Sequence, residues 1–154
     1  MVSGRLRLLQ RLGPDRLGAT AVEFALLLWP AMVLILGALQ FGFYQYTQAT
    51  LSNALFDTAA APGTEVILGD QAGYRNRICA SIPIIPDATC RATLLVELEP
   101  LASLPTTVTD IQGSVFDPGL PMNLMVLRAA VPTLQILPFA PVMRAKASVV
   151  FRRP

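Results

Sequence analysis

Residues 24–56 form a run of 33 positions without an aspartate, glutamate, lysine or arginine. No other feature constrains the fold as strongly. Its most apolar part, "FALLLWPAMVLILGALQFGFY" (residues 24–44), is 21 residues long, with Gln40 as its one strongly polar side chain. A bilayer hydrocarbon core of ~30 Å takes about 20 residues of α-helix, so this segment reads as a transmembrane helix. Arg5, Arg7, Arg11 and Arg16 precede it, opposed only by Asp15. An excess of arginine beside a span holds that end in the cytoplasm. Everything beyond residue 45 is then expected outside.

The helix is not expected to stop at the membrane surface. Through "QYTQATLSNALFDTAA" (45–60) and Tyr44 just before it, Tyr44, Leu51, Leu55 and Phe56 recur at helical spacing, and nothing breaks the run before Pro62 and Gly63. One helix over residues 19–60 is predicted, with its membrane part at about 24–44. Pro30 has no N–H for the Leu26 carbonyl, which predicts a kink there. Trp29, Tyr44 and Tyr46 read either as interfacial anchors or as packing residues. Gln40 has three open readings: a bond to a neighbouring helix, a bond to its own helix, or snorkelling.

Beyond residue 61 prolines punctuate short β-like runs. "TLLVELE" (93–99) places Leu94, Val96 and Leu98 on one face and Thr93, Glu97 and Glu99 on the other. "LMVLRAAV" (124–131) reads as a more fully buried strand. "KASVVFR" (146–152) turns Ala147, Val149 and Phe151 inward and Lys146, Ser148 and Arg152 outward. In "FDPGLP" (116–121), Pro118 fixes φ and Gly119 tolerates positive φ, which makes a turn. Residues 64–82 fit helix or loop, and Tyr74, Arg75 and Arg77 within them read as solvated. The fold class is α+β: a long N-terminal helix continuing into a small domain of three to four antiparallel strands over residues 61–154.

The composition limits the chemistry. Apolar residues make up 53% and charged residues 14%, against about 25% charged in an ordinary soluble domain. A net charge of +2 is too small to point to nucleic acid. Histidine is absent, which removes the commonest general base and the commonest metal ligand. Cys79 and Cys90 cannot complete a zinc site alone, and their spacing is not C-x-x-C. In an oxidising exterior the default is a Cys79–Cys90 disulfide; two buried thiols are the alternative. Asp70, Asp87, Asp110 and Asp117 sit in turn-like contexts and form no supported dyad. The expectation is no enzyme, no metal, no cofactor and no small-molecule substrate.

The start of the helix has three readings. A cleaved secretory signal calls for an apolar region of about 7–15 residues followed closely by small residues. Here the run is longer, and "TAAAPG" (58–63) lies far beyond it. A plain signal anchor explains the arginines and the apolar length. It leaves Glu23 as a first-turn acid favoured by the helix dipole at ~0.3–1 kcal/mol. The third reading rests on order. "RLGATAVEFALLLWP" resembles the processing region of type IV pilin-like proteins, which a membrane prepilin peptidase cuts after a glycine, five residues before a glutamate. The resemblance implies a leader over residues 1–18, with Gly18 its last residue, Ala19 the new N-terminus and Glu23 that glutamate. Ala19 and Glu23 are one helical turn apart, so the new α-amine can meet Glu23 of its own chain or of a neighbour.

Within this group, "G-A-x-A-V-E-F-A-L-x-x-x-P" is similar to the TadE/TadG family of minor pilins or pseudopilins of tight-adherence (Tad/Flp) pilus systems. "VFDPGLPMNLMVLRAAVPTLQILPF" (115–139) and "ASVVFRRP" (147–154) resemble that family's turn, strands and closing segment. The ending "FRRP" departs from its acidic pattern. The resemblance implies a TadE-like, pilin-like protein that assembles an adhesive pilus. It implies a single pass through a bacterial inner membrane with the domain in the periplasm. Its implied partners are the prepilin peptidase, other pilins or pseudopilins, the Tad assembly machinery and the lipid bilayer. The competing class is a signal-anchored envelope protein whose outer domain binds a ligand or partner unrelated to pili.

Overall fold

The computed structural model describes residues 16–104 and 109–154, with side chains from residue 21 onward. Residues 1–15, most of the expected leader, lie outside the described residues. Helix α1 spans Arg16–Ala60, 45 residues, and runs through Pro30 without a break. The chain divides into two compact units: one ends at Ala38 and the other is Leu39–Pro154.

The first unit, where described, is helix alone. The second begins with the remainder of α1 and continues through three short helices, α2 (Thr64–Leu68), α3 (Gln71–Ala80) and α4 (Asp87–Thr93). Strands β1 (Leu95–Pro100), β2 (Leu124–Pro132) and β3 (Arg144–Arg152) follow and form one antiparallel sheet in the order β1-β2-β3. The expected α+β architecture is present.

One face of the sheet carries Val96 and Leu98 from β1, Met125, Leu127, Ala129 and Val131 from β2, and Ala145, Val149 and Phe151 from β3. These pack with Leu51 and Leu55 of α1 and with Tyr74 and Ile78 of α3. Each large aliphatic side chain buried this way contributes about 1.5–3 kcal/mol. The outward set of β3, Lys146, Ser148 and Arg152, is exposed as its alternation predicts. Strand β2 also buries Val126 and Ala130, on its opposite face. This two-sided burial is why its sequence reads as a continuous apolar run.

The disulfide joins Cys79, near the end of α3, to Cys90 in α4, with Cα atoms 5.7 Å apart. Both cysteines are part of the core. Closing so short a loop contributes ~2–4 kcal/mol in the chain-entropy account.

The structure settles one open reading and corrects two others. Residues 64–82 are two helices, α2 and α3, separated by Gly69, whose φ of 75° makes the left-handed cap that ends α2. Tyr74 is not solvated: it is fully buried on α3. Glu97 is buried instead of outward. Its Oε1 accepts hydrogen bonds from the Gln112 N–H (2.6 Å) and the Gly113 N–H (2.9 Å), and its Oε2 lies 3.6 Å from the Arg128 guanidinium. The segment that supplies those donors covers the second face of the sheet, which local alternation does not reveal.

A glutamine side chain caps part of each edge of the sheet. At β3, the Gln48 amide donates to the Lys146 carbonyl (2.6 Å) and accepts from the Lys146 N–H (3.0 Å), as a neighbouring strand would. At β1, the Gln71 amide donates to the Val96 carbonyl (2.8 Å), and Leu98 pairs with the segment at Phe116. An open strand edge is a template for unwanted pairing, and these contacts occupy it.

Candidate functional site

The candidate site is helix α1 itself, and its character changes along its length. From residue 21 to residue 38 almost every side chain is exposed; Val33, Leu36 and Gly37 are half-buried. The exposed residues are large and apolar: Trp29 is 71% exposed and Leu34 74%. In water this arrangement exposes far more apolar surface than a monomeric soluble protein tolerates. The helix is long and apolar enough to cross a bilayer, and among the described residues it is one such helix.

Gly18 and Ala19 lie within the helical backbone of α1, and Glu23 lies one turn further on, exposed. The structure thus places the expected processing residues in one short stretch of helix. Ala19 and Glu23 are i and i+4 positions of the helix, about 6 Å apart along its axis. Pro30 is inside the same stretch.

From Gln40 onward one stripe of the helix is buried: Gln40, Thr47, Leu51, Leu55 and Thr58. The polar members of this stripe all have partners. Gln40 donates to the Leu134 carbonyl (3.1 Å) and accepts from the Ile136 N–H (2.6 Å). Gln40 is therefore satisfied within its own chain, by a segment 94–96 residues away. This resolves its three readings against all three, since the partner is the segment at Leu134 and Ile136. Thr47 turns its hydroxyl back to the Phe43 carbonyl at 2.8 Å. Thr58 bonds the Ala54 carbonyl at 2.8 Å and the Tyr74 hydroxyl at 3.0 Å. Burial pushes the Tyr74 pKa up to about 12, against the lowering effect of the Thr58 bond and of the Arg77 charge.

A second cluster of exposed apolar side chains gathers at the far end of β2: Leu101, Leu120, Met122 and Leu124. Pro100, Leu101, Met122 and Leu124 line a shallow groove there. The turn beneath it is set by Asp117, whose Oδ1 accepts from the Gly119 N–H (2.8 Å), with Gly119 at a φ of 62°. Among the described residues no group of three or more histidine, cysteine, aspartate or glutamate side chains is placed to hold a metal ion.

Sequence reasoning missed Gln48, Gln71 and Glu97. Each is a polar residue whose partner is backbone far along the chain, and one sequence carries no signal for such a pairing. Tyr74 did have a signal. Its spacing to Ile78 is one helical turn, but the turn was too short to read.

The family comparison falls on the helix. Residues 18–60 match the family model described as TadE-like protein. Over these residues helix α1 is similar to that family. The TadE-like segment begins at Gly18, takes in both the exposed and the packed parts of the helix, and ends at Ala60, the last helical residue. No curated protein and no solved structure matches the chain.

Proposed function

We propose that this protein is a membrane-anchored minor pilin or pseudopilin that a prepilin peptidase processes between Gly18 and Ala19, and that it acts in assembling a Tad-type adhesive pilus. The carrying observation is the TadE-like segment of residues 18–60, which coincides with a helix able to cross a membrane. The leader arginines stay cytoplasmic, the helix spans the inner membrane once, and the sheet domain stands outside.

Processing is hydrolysis of the Gly18–Ala19 amide. Water adds across the bond, leaving the Gly18 carboxylate on the released leader and an α-amine on Ala19. Gly18 presents no side chain to the cleavage cleft. The new ammonium then lies one turn from Glu23. A charge pair in low dielectric is costly to leave incomplete, ~3–5 kcal/mol when one partner is removed. In an assembly the ammonium of one helix and Glu23 of the next can complete each other and set the register. Pro30 supplies a local bend in the helix, and the exposed apolar face of residues 21–38 supplies the packing surface.

The test is the N-terminus of the mature protein, by intact mass and N-terminal sequencing, from cells with and without an active prepilin peptidase. The expected result is a chain starting at Ala19 only when the peptidase is present. An uncut chain beside an active peptidase would overturn the processing step. The protein would then be a signal-anchored envelope protein.

A further inference from the structure

Gln40 ties one loop of the outer domain to the helix at membrane depth. Residues 24–44 make 21 residues of helix, about 31 Å, which just matches the hydrocarbon core. Gln40 is four residues from the outer end of that span, about 6 Å inside the boundary. Its amide is bonded to Leu134 and Ile136. Whatever depth Gln40 takes, those residues share.

The loop of residues 134–142 is built for such a place. No charged residue occurs from Ala129 to Met143. Leu134, Phe139 and Val142 are exposed, Phe139 by 69%. Irregular backbone near lipid is less costly the more of its polar groups find partners. Here the neck is closed by the Thr133 N–H donating to the Met143 carbonyl (2.9 Å). The Gln135 amide donates to the Leu137 carbonyl (3.0 Å) and the Ala140 carbonyl (2.8 Å), and the Ala140 N–H donates to the Leu137 carbonyl (3.1 Å). Pro138 and Pro141 have no N–H to satisfy. Arg144 is exposed at the exit of the loop, where a long cationic side chain reaches lipid phosphates.

We propose that residues 134–142 form a second membrane element, which dips into the outer interface of the bilayer that α1 crosses, with Phe139 and Val142 against lipid. Its occupant is the lipid surface. The loop then holds the sheet domain close to the membrane and covers the Gln40 amide where water is scarce. The proposal rests on reading α1 as membrane-crossing, and the experiment separates the two.

Trp29 is the one tryptophan, so the full chain in phosphatidylcholine and phosphatidylglycerol liposomes reports helix insertion through quenching by lipids spin-labelled high on the acyl chain. In a Trp29→Phe background, Phe139→Trp and, separately, Val142→Trp place the probe in the loop. Leu68→Trp, on the exposed end of α2, is the control in water. The expected result is blue-shifted emission and strong lipid quenching at 139 and 142, with neither at 68. Three results would overturn the proposal. One is loop probes quenched no more than the probe at 68 while Trp29 is quenched. A second is loop probes shielded from aqueous acrylamide yet untouched by lipid quencher, which means a protein covers the loop. The third is an unquenched Trp29, which removes the membrane helix and the loop's role with it.

Discussion

Helix α1 is continuous, yet its two parts meet different surroundings. Residues 21–38 expose Phe24, Leu27, Trp29 and Leu34, while residues 39–60 bury Leu51 and Leu55 completely. Both parts are helical, and polar residues are concentrated in the second. The difference lies in what the polar residues do. The first part has a single ionisable side chain, Glu23, close to its start. The second carries Gln40, Gln48 and Thr58, each bonded to a residue beyond the helix: Leu134, Lys146 and Tyr74. A helix that must enter lipid cannot carry unpaired polar groups. A helix that must fix one sheet in one register profits from polar groups that find only one partner.

The largest expected effect separates the two parts directly. Leu51→Ala removes a fully buried side chain and is expected to cost about 2–5 kcal/mol. Leu34→Ala, on the exposed part, is expected to leave the domain's stability within about 0.5 kcal/mol of the parent. Urea unfolding of the full chain in detergent, followed by the near-ultraviolet signal of Tyr74, measures both. Equal losses would break the comparison.

Next is the contact between Thr58 and Tyr74. Thr58→Val leaves the buried Tyr74 hydroxyl without its partner, an expected loss of about 1–3 kcal/mol. The parent itself carries a pH signature. The Tyr74 pKa rises from its ordinary value of 10.0 to about 12, so the folded state keeps this proton longer than the unfolded chain does. Stability is therefore whole below about pH 10, falls as pH rises, and has lost this contribution once pH passes about 12. Unfolding midpoints measured from pH 8 upward check the window. A midpoint independent of pH across it would place Tyr74 in water.

A smaller effect is expected at the edge of β3. Gln48→Ala removes both bonds to Lys146, an expected loss of about 1 kcal/mol. It also opens the strand edge, which concentration-dependent association in size-exclusion chromatography would report. Gln45→Ala, one turn earlier and exposed, serves as the silent control.

The smallest effect is at Asp110. The Lys146 ammonium, 2.8 Å away, donates a hydrogen bond to its carboxylate and, with its charge, holds the pKa below 3.8. A lowered carboxylate favours the folded state above its unfolded pKa, and that advantage is lost as pH falls through the folded value. Both side chains of this pair are exposed, so water and salt screen it. Asp110→Asn is expected to leave the unfolding midpoint unchanged near neutral pH.

Legibility followed the range of the interactions. The helix was legible because its signal is local: a charge-free run, helical spacing beyond Tyr44, and a stop at Pro62 and Gly63. The inward face of β3 was legible because alternation reports burial wherever only one face is covered. Glu97 was not, because the segment at residues 109–113 covers the outer face and brings its own N–H donors to the carboxylate. Helices α2 and α3 were not, because they are short and depend on packing, the disulfide and the cap at Gly69. Of the candidate processing residues, the order of Gly18, Ala19 and Glu23 was visible outright, since it lies within six consecutive residues.

By itself, then, the sequence determined a long apolar helix with a basic approach, a carboxylate five residues beyond a glycine, and a small α+β domain behind it. These follow from local periodicity, charge and chain stiffness. Tertiary structure alone decided where the helix stops being free and starts being packed. Gln40 and Gln48 make that decision through backbone groups roughly a hundred residues away. A glutamine reads the same in either setting until its partner is in place.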